Sequence, residues 1–335
     1  TSTGGSCPDT ATGTITVNPD GVITHDGTQG ALDQPLCEGD AIEPIAFSLS
    51  GGATGATISW DVVPAGLVFD ATALTITGVP TDNITSVQTY NYTITTTGSG
   101  CEPDDISGVI TVNPLDELTT TSDTTPLVCS ATAITPIQYT LGGGATGATI
   151  SWDVDPVSIT LDAATTTISG TAPTVTTSTT YTYTLTSTGG SCPDTATGTI
   201  TVNPDDEISL TSANSSQTGL CEGEAIQDIT YALAGGATGV TINGLPNGVT
   251  YTVNAGLVTI SGIPTENILG SFTLFDFNVV TTGSCNPQTR TGTIRINSDH
   301  SMFADPGLTT QEICEGDSID PIDFTVSNGA TSAIL

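Results

Sequence analysis

The sequence contains no lysine and only two arginines, Arg290 and Arg295, against 35 acidic residues, so its formal net charge is −33. The phosphates of nucleic acids and anionic membrane surfaces repel a chain this acidic, and we therefore expect no nucleic-acid partner. The absence of lysine also excludes lysine-based isopeptide cross-links. We interpret most of the acidic residues as solvated charges in loops.

Long apolar runs and helical periodicity are missing too. No run approaches the roughly 18 residues of a membrane-spanning helix, which predicts no membrane insertion in this segment. Thr, Ser, Gly, Val and Ile dominate, and β-branched residues favour strands. No nucleophile elbow, zinc motif or phosphate-binding loop is present, so we predict that the protein is not an enzyme.

Internal repeats organise the chain. Residues 1–20, TSTGGSCPDTATGTITVNPD, recur without a change at 186–205. The cysteines at 37, 129, 221 and 314 begin similar segments, spaced by 92, 92 and 93 residues, which is the length of one small domain. The predicted units are the end of a preceding repeat (1–19), three complete repeats (20–113, 114–204 and 205–297) and the beginning of a further repeat (298–335).

Each repeat has the pattern of an all-β, antiparallel sandwich. In the first repeat, short alternating runs separated by Gly, Pro and Asn predict about seven strands. These strands are 22–24, 42–49, 57–62, 67–69, 74–77, 90–96 and 107–112. Trp60 and Trp152 stand where an immunoglobulin-like domain has its strand-C tryptophan, whereas the third repeat has Gly244 there.

The recurring pattern CxGxxIxxIxYxLxGGATGxT, TISGxPT, YTxTTTGxxC and TGTITVNP resembles the PKD-like and Ig-like repeats of giant cell-surface adhesins of the Bacteroidota. The gliding-motility adhesins, secreted through the type IX system, are the best-known members of that group. The resemblance implies tandem Ig-like or cadherin-like domains in an elongated array at the cell surface. It supplies no ligand-binding residue.

The eight cysteines form a regular pattern without a CxxC pair, which predicts disulfides and an oxidising, extracellular location. The disulfide candidates are Cys7, Cys37, Cys101, Cys129, Cys192, Cys221, Cys285 and Cys314. Three pairings fit the spacing: within a repeat (Cys37 with Cys101), between neighbouring repeats (Cys37 with Cys192 and Cys129 with Cys285), or with the next cysteine (Cys101 with Cys129). Spacing slightly favours the pairing within a repeat, whereas the roughly 35 Å of strand between those two cysteines opposes it, so the first two pairings stay equally open and the third is less favoured.

Acidic residues cluster where repeats meet, and Ca²⁺ takes six to eight oxygen ligands. The predicted calcium ligands are Asp20, Asp116, Glu117, Asp205, Asp206 and Glu207. The alternative is a solvated linker without metal. No other cofactor is expected.

Four Asp-Ser/Thr-apolar triplets resemble the O-glycosylation signal of the same bacteria, and all four should lie in loops. The acceptor hydroxyls would be Thr10, Thr124, Thr195 and Ser318.

The sequence thus predicts a structural function, a stalk or filament shaft that gives a surface adhesin its reach, with other repeats or copies of the chain as partners. One alternative is a repeat that binds a glycan or another cell through an unknown ligand. Another is a non-catalytic spacer of an extracellular enzyme.

Overall fold

The computed structural model describes residues 1–7, 9–98, 100–268, 270–304, 309–327 and 333–334. Parts of the predicted further repeat, including 305–308 and 328–332, lie outside these ranges. All regular secondary structure in the described ranges is β-strand, and they contain no helix that could cross a membrane.

The first sandwich consists of two four-stranded sheets, with strand orders β1-β3-β6-β5 and β2-β8-β7-β4. Its strands are β1 (Gly21–His25), β2 (Gln34–Cys37), β3 (Ile45–Gly51), β4 (Gly55–Trp60), β5 (Leu67–Asp70), β6 (Thr75–Gly78), β7 (Gln88–Thr97) and β8 (Asp105–Asn113). All pairs are antiparallel except β2 with β8, which run parallel.

The second sandwich has the same plan, but one of its sheets is divided into a three-stranded and a two-stranded part. Its strands are β9 (Glu117–Thr119), β10 (Leu127–Cys129), β11 (Ile137–Gln138), β12 (Thr140–Gly142), β13 (Gly147–Trp152), β14 (Ile159–Asp162), β15 (Thr167–Gly170), β16 (Thr179–Thr188) and β17 (Thr195–Asn203). The four-stranded sheet has the order β10-β17-β16-β13, and β10 runs parallel to β17.

The third sandwich again has two four-stranded sheets, with orders β18-β20-β23-β22 and β19-β25-β24-β21. Its strands are β18 (Asp206–Leu210), β19 (Gln217–Cys221), β20 (Ile229–Gly235), β21 (Ala237–Asn243), β22 (Val249–Asn254), β23 (Leu257–Gly262), β24 (Phe272–Gly283) and β25 (Thr289–Asn297). A two-stranded ribbon follows, formed by β26 (Ser301–Ala304) and β27 (Phe324–Ser327).

Each sandwich buries its own apolar core, so the three cores form separate clusters. Alternate residues of the long strands point inward, as Tyr90, Tyr92 and Ile94 do in the first domain. Burying a large apolar side chain stabilises a domain by about 1.5–3 kcal/mol, so each core supports its own sandwich.

The seven strands predicted for the first repeat are confirmed, with ends that differ by a few residues. The sequence pattern missed β2, because its four residues, QPLC, show no apolar alternation. This strand pairs in parallel with the end of β8 and places Cys37 opposite Asn113, the last residue of β8. The first cysteine of the repeat therefore lies at the end of the domain that faces the next repeat.

Candidate functional site: the domain junctions

A disulfide joins the first domain to the second. Cys37 ends β2, and Cys192 lies in the loop between β16 and β17 of the following domain. Their sulfur atoms are 2.04 Å apart and their Cα atoms 5.7 Å apart. Of the three pairings that the sequence left open, the structure has the one between neighbouring repeats.

The second junction repeats the first. Cys129 ends β10, and Cys285 lies in the loop between β24 and β25 of the third domain, with the Cα atoms 5.5 Å apart. In both junctions the loop cysteine is buried, whereas the strand cysteine is partly exposed. The linker is short, because the last strand of one domain ends only a few residues before the first strand of the next.

Backbone hydrogen bonds fix the linker beside each disulfide. The N–H of Asp116 donates to the carbonyl oxygen of Cys192 at 2.9 Å, and the N–H of Asp206 donates to that of Cys285 at 3.0 Å. At each junction the linker aspartate is thus hydrogen-bonded to the loop that carries the bridging cysteine.

Asp116 and Asp206 bury their carboxylates in this loop region, with exposed fractions of 5% and 1%. Ser187 donates a hydrogen bond of 2.7 Å to Oδ2 of Asp116. Among the described residues, Oδ1 of Asp116 and both carboxylate oxygens of Asp206 have no hydrogen-bond partner. A Cβ atom on Gly190 or Gly283 would collide with these carboxylates, so a side chain at either position would displace the aspartate.

The predicted calcium ligands do not converge at the junctions. Asp20, Glu117 and Glu207 are exposed, and the half-buried Asp205 accepts a hydrogen bond from the side-chain amide of Asn286 at 2.7 Å. Asp116 and Asp206 point inward, each under its own loop. In the part of the chain that the structure describes, no three acidic, histidine or cysteine side chains form a metal-binding group. One buried carboxylate per junction falls well short of the six to eight oxygens that Ca²⁺ takes, so these residues do not fit a calcium site.

Three of the four predicted glycosylation residues lie outside strands, namely Thr10, Thr124 and Ser318. The prediction that all four lie in loops is wrong for Thr195, which begins β17. The hairpin ladder extends as far as the pair Thr186–Thr195, so this triplet starts inside the sheet. Thr10, Thr195 and Ser318 are exposed, and modification at these sites stays a prediction.

Four cysteines lie outside the two junction disulfides. Cys7, Cys221 and Cys314 form no disulfide within the described residues. The sulfur of Cys101 lies 3.3 Å from the carbonyl oxygen of Asn18. Cys221 ends β19 opposite Asn297, which is the position that Cys37 and Cys129 occupy in their domains.

A different feature distinguishes the third domain. In the first two domains a partly buried tryptophan packs on a core tyrosine, Trp60 on Tyr92 and Trp152 on Tyr183, with ring centroids 5.4 and 5.5 Å apart. The next residue, an aspartate, ties the end of this strand to its neighbour. The backbone N–H of Thr182 donates to Asp153 at 2.8 Å and holds the pKa of that carboxyl below its usual range.

The third domain has Gly244 at the position of the tryptophan and Leu245 at that of the aspartate. A cleft of about 590 Å³ opens there, beyond the end of β21. Polar side chains line it: Ser216, Asn243, Asp276, Asn278, Thr291 and Thr293. Oδ1 of Asn278 is buried without a hydrogen-bond partner among the described residues. Aligning the repeats could have located this cleft, because the alignment places Gly244 where the first two repeats have tryptophan.

Comparison with known proteins agrees with this fold. Residues 33–113 match the family model of the putative Ig domain, He_PIG. No curated protein matches the chain.

Among solved structures, a three-Ig fragment of titin in an E-to-A mutated variant aligns with a TM-score of 0.51 and 9% identity, covering 84% of this chain and 100% of the fragment. An I-band fragment of titin aligns with a TM-score of 0.50, 10% identity and the same coverage. Extracellular cadherin domains 3–6 of protocadherin gamma B2 align with a TM-score of 0.37 and 13% identity, over 84% of this chain and 76% of that one. At such low identity, the two titin alignments indicate a shared fold alone. The chain folds as a tandem array of immunoglobulin-like β-sandwich domains.

Proposed function

We propose that this chain is an extracellular structural spacer, a stalk whose immunoglobulin-like domains hold a fixed end-to-end arrangement and give reach to an adhesive protein. The observation that carries the proposal is the disulfide at each described junction, which joins the end of one sandwich to the loop of the next. A junction fixed by a peptide linker, a disulfide and a backbone hydrogen bond restricts bending far more than a peptide linker does.

The proposal includes an extracellular location and a relation to bacterial surface adhesins. Interdomain disulfides persist in oxidising surroundings, which supports an extracellular or cell-surface site. The high negative charge keeps neighbouring chains apart, and it suits a soluble surface protein. The resemblance of the repeats to those of Bacteroidota adhesins supports a surface-adhesin stalk exported by the type IX system and used in attachment or gliding. A spacer of this kind needs no catalytic residue.

Small-angle X-ray scattering tests the stiffness of the junctions. We expect the oxidised chain to scatter as an elongated rod, with a largest dimension on the order of 120–140 Å for three domains. The double variant Cys37→Ser/Cys129→Ser should keep three folded domains but show a broader, more flexible distance distribution. A compact wild-type particle, or identical flexibility in the two proteins, would contradict the stalk.

The cleft beside Gly244 favours a second candidate function, the binding of a neutral glycan by the third domain. Asn, Asp and Thr side chains bind sugar hydroxyls, and Asn278 is one of the residues that line the cleft. A glycan array compares the wild type with Asn278→Leu. Wild-type binding that the variant loses supports this candidate, and an array without a hit removes it.

A further inference from the structure

The two disulfides overlap along the chain. The loop closed by Cys37–Cys192 spans 155 residues, and the loop closed by Cys129–Cys285 spans 156. Because Cys129 precedes Cys192, the stretch 129–192 lies inside both loops. The four cysteines therefore divide the backbone between residues 37 and 285 into three segments: 37–129, 129–192 and 192–285.

From this order we infer a second function: the bonds form a covalent bypass that keeps the array in one piece after its backbone is cut. A cut in any one segment leaves its two sides joined through a disulfide. A cut in each of any two segments still leaves every fragment joined, because one intact segment and two disulfides connect all four cysteines. With no more than one cut in each segment, separation requires a cut in all three. The inference rests on the order of the bonded cysteines and stands whether or not the chain is a stalk.

Exposed turns at corresponding places make the inference testable. The turns 71–73, 163–165 and 255–256 join equivalent strands in the three domains, and one turn lies in each segment. Residues 27–29 form a further exposed turn, which lies before Cys37 and outside the bypass. Each of these turns can receive the recognition sequence of a site-specific protease.

The experiment compares single, double and triple insertions in the full oxidised chain. After digestion, free thiols are alkylated, and the products are separated under denaturing conditions without reductant. We expect every single-cut and double-cut variant in the three turns to keep the mobility of the uncut chain. The triple-cut variant should give two species, one held by Cys37–Cys192 and the other by Cys129–Cys285. The control cut at 27–29 should release the N-terminal peptide without reductant.

Two outcomes would overturn the inference. If a single cut at 71–73 released a fragment, no bond would bypass the first segment. If the triple-cut variant stayed in one piece, the cysteines would be paired within repeats, because each cut would then lie inside a closed loop. Where an insertion prevents folding, mass spectrometry of the unreduced, uncut chain decides by detecting or failing to detect the linked peptides of Cys37 with Cys192 and of Cys129 with Cys285.

Discussion

When the chain is pulled from its two ends, the fully extended length of the oxidised form should be about 650 Å shorter than that of the reduced form. From residue 37 to residue 285 the backbone runs 248 residues, which extend to about 870 Å when unfolded and reduced. With both bonds intact, the shortest covalent route crosses from Cys37 to Cys192, returns along the backbone to Cys129 and crosses to Cys285. That route contains 63 residues, from 129 to 192, and extends to about 220 Å.

Force spectroscopy with tags at both termini measures these lengths, since residues 1–36 and 286–335 contribute equally in every case. The variants Cys192→Ser and Cys285→Ser each keep one of the two disulfides. Their shortest routes contain 92 or 93 backbone residues, so each should extend to about 320 Å over the same span. Pairing within repeats would instead give about 420 Å for either variant. Equal lengths for the oxidised and reduced wild type would show that the bonds do not form.

This graded extension also explains how the array would respond to load. In the taut oxidised chain, tension enters the second domain at Cys192 and leaves it at Cys129. Unfolding of the first or third domain then lengthens the bridged part of the chain only within the limit set by the disulfides. A protein that must keep two surfaces at a defined separation benefits from that limit.

The sequence predicted the sandwiches well, because strand alternation and turn residues are local properties of each repeat. Disulfide pairing was different: spacing reduced it to three alternatives but could not choose among them. The choice depends on how the end of one domain meets the loop of the next, and no pattern within a single repeat contains that information. The parallel strand β2, which positions Cys37, was missed for a local reason, since its four residues show no apolar alternation.

The junction carboxylates show a second limit. The sequence groups Asp116 and Asp206 with Glu117 and Glu207, either as calcium ligands or as charges of a solvated linker. In the structure, both aspartates are buried and both glutamates are exposed, and at Asp206 and Glu207 the alternation of β18 produces this difference. Neighbouring acidic residues therefore differ in burial: one carboxylate is buried and has an oxygen without a hydrogen-bond partner among the described residues, and the next is a surface charge. The linker sequence does not reveal which of the two is buried.

The two identical stretches, 1–20 and 186–205, have different surroundings in this structure. In the second domain this sequence supplies the end of β16 and all of β17, and Ile200 and Val202 are fully buried. The same sequence at 1–20 forms no strand over its described residues up to Asp20, and Ile15 and Val17 are 94% and 87% exposed. A strand of this composition needs neighbouring strands and an apolar face to bury.

The identical stretches also provide a matched pair of substitutions, Gly198→Val and Gly13→Val. Gly198 lies opposite Tyr183 in the β16–β17 ladder, and the tyrosine ring covers it. A Cβ atom there would collide with the ring and would approach the carbonyl oxygen of Thr124 to 2.6 Å. We expect Gly198→Val to lower the free energy of unfolding of the second domain by about 3 kcal/mol or more.

The matched substitution Gly13→Val should change stability by less than about 0.5 kcal/mol, because a Cβ atom on Gly13 meets nothing within 4 Å. The chain has two tryptophans, so in a Trp60→Phe background the fluorescence of Trp152, which packs on Tyr183, reports on the second domain. Denaturant titrations of both variants in that background give the two free energies. Equal changes in the free energy of unfolding would contradict the structure. They would mean that Gly198 is no more crowded than Gly13 and that β17 does not pack against Tyr183 as described.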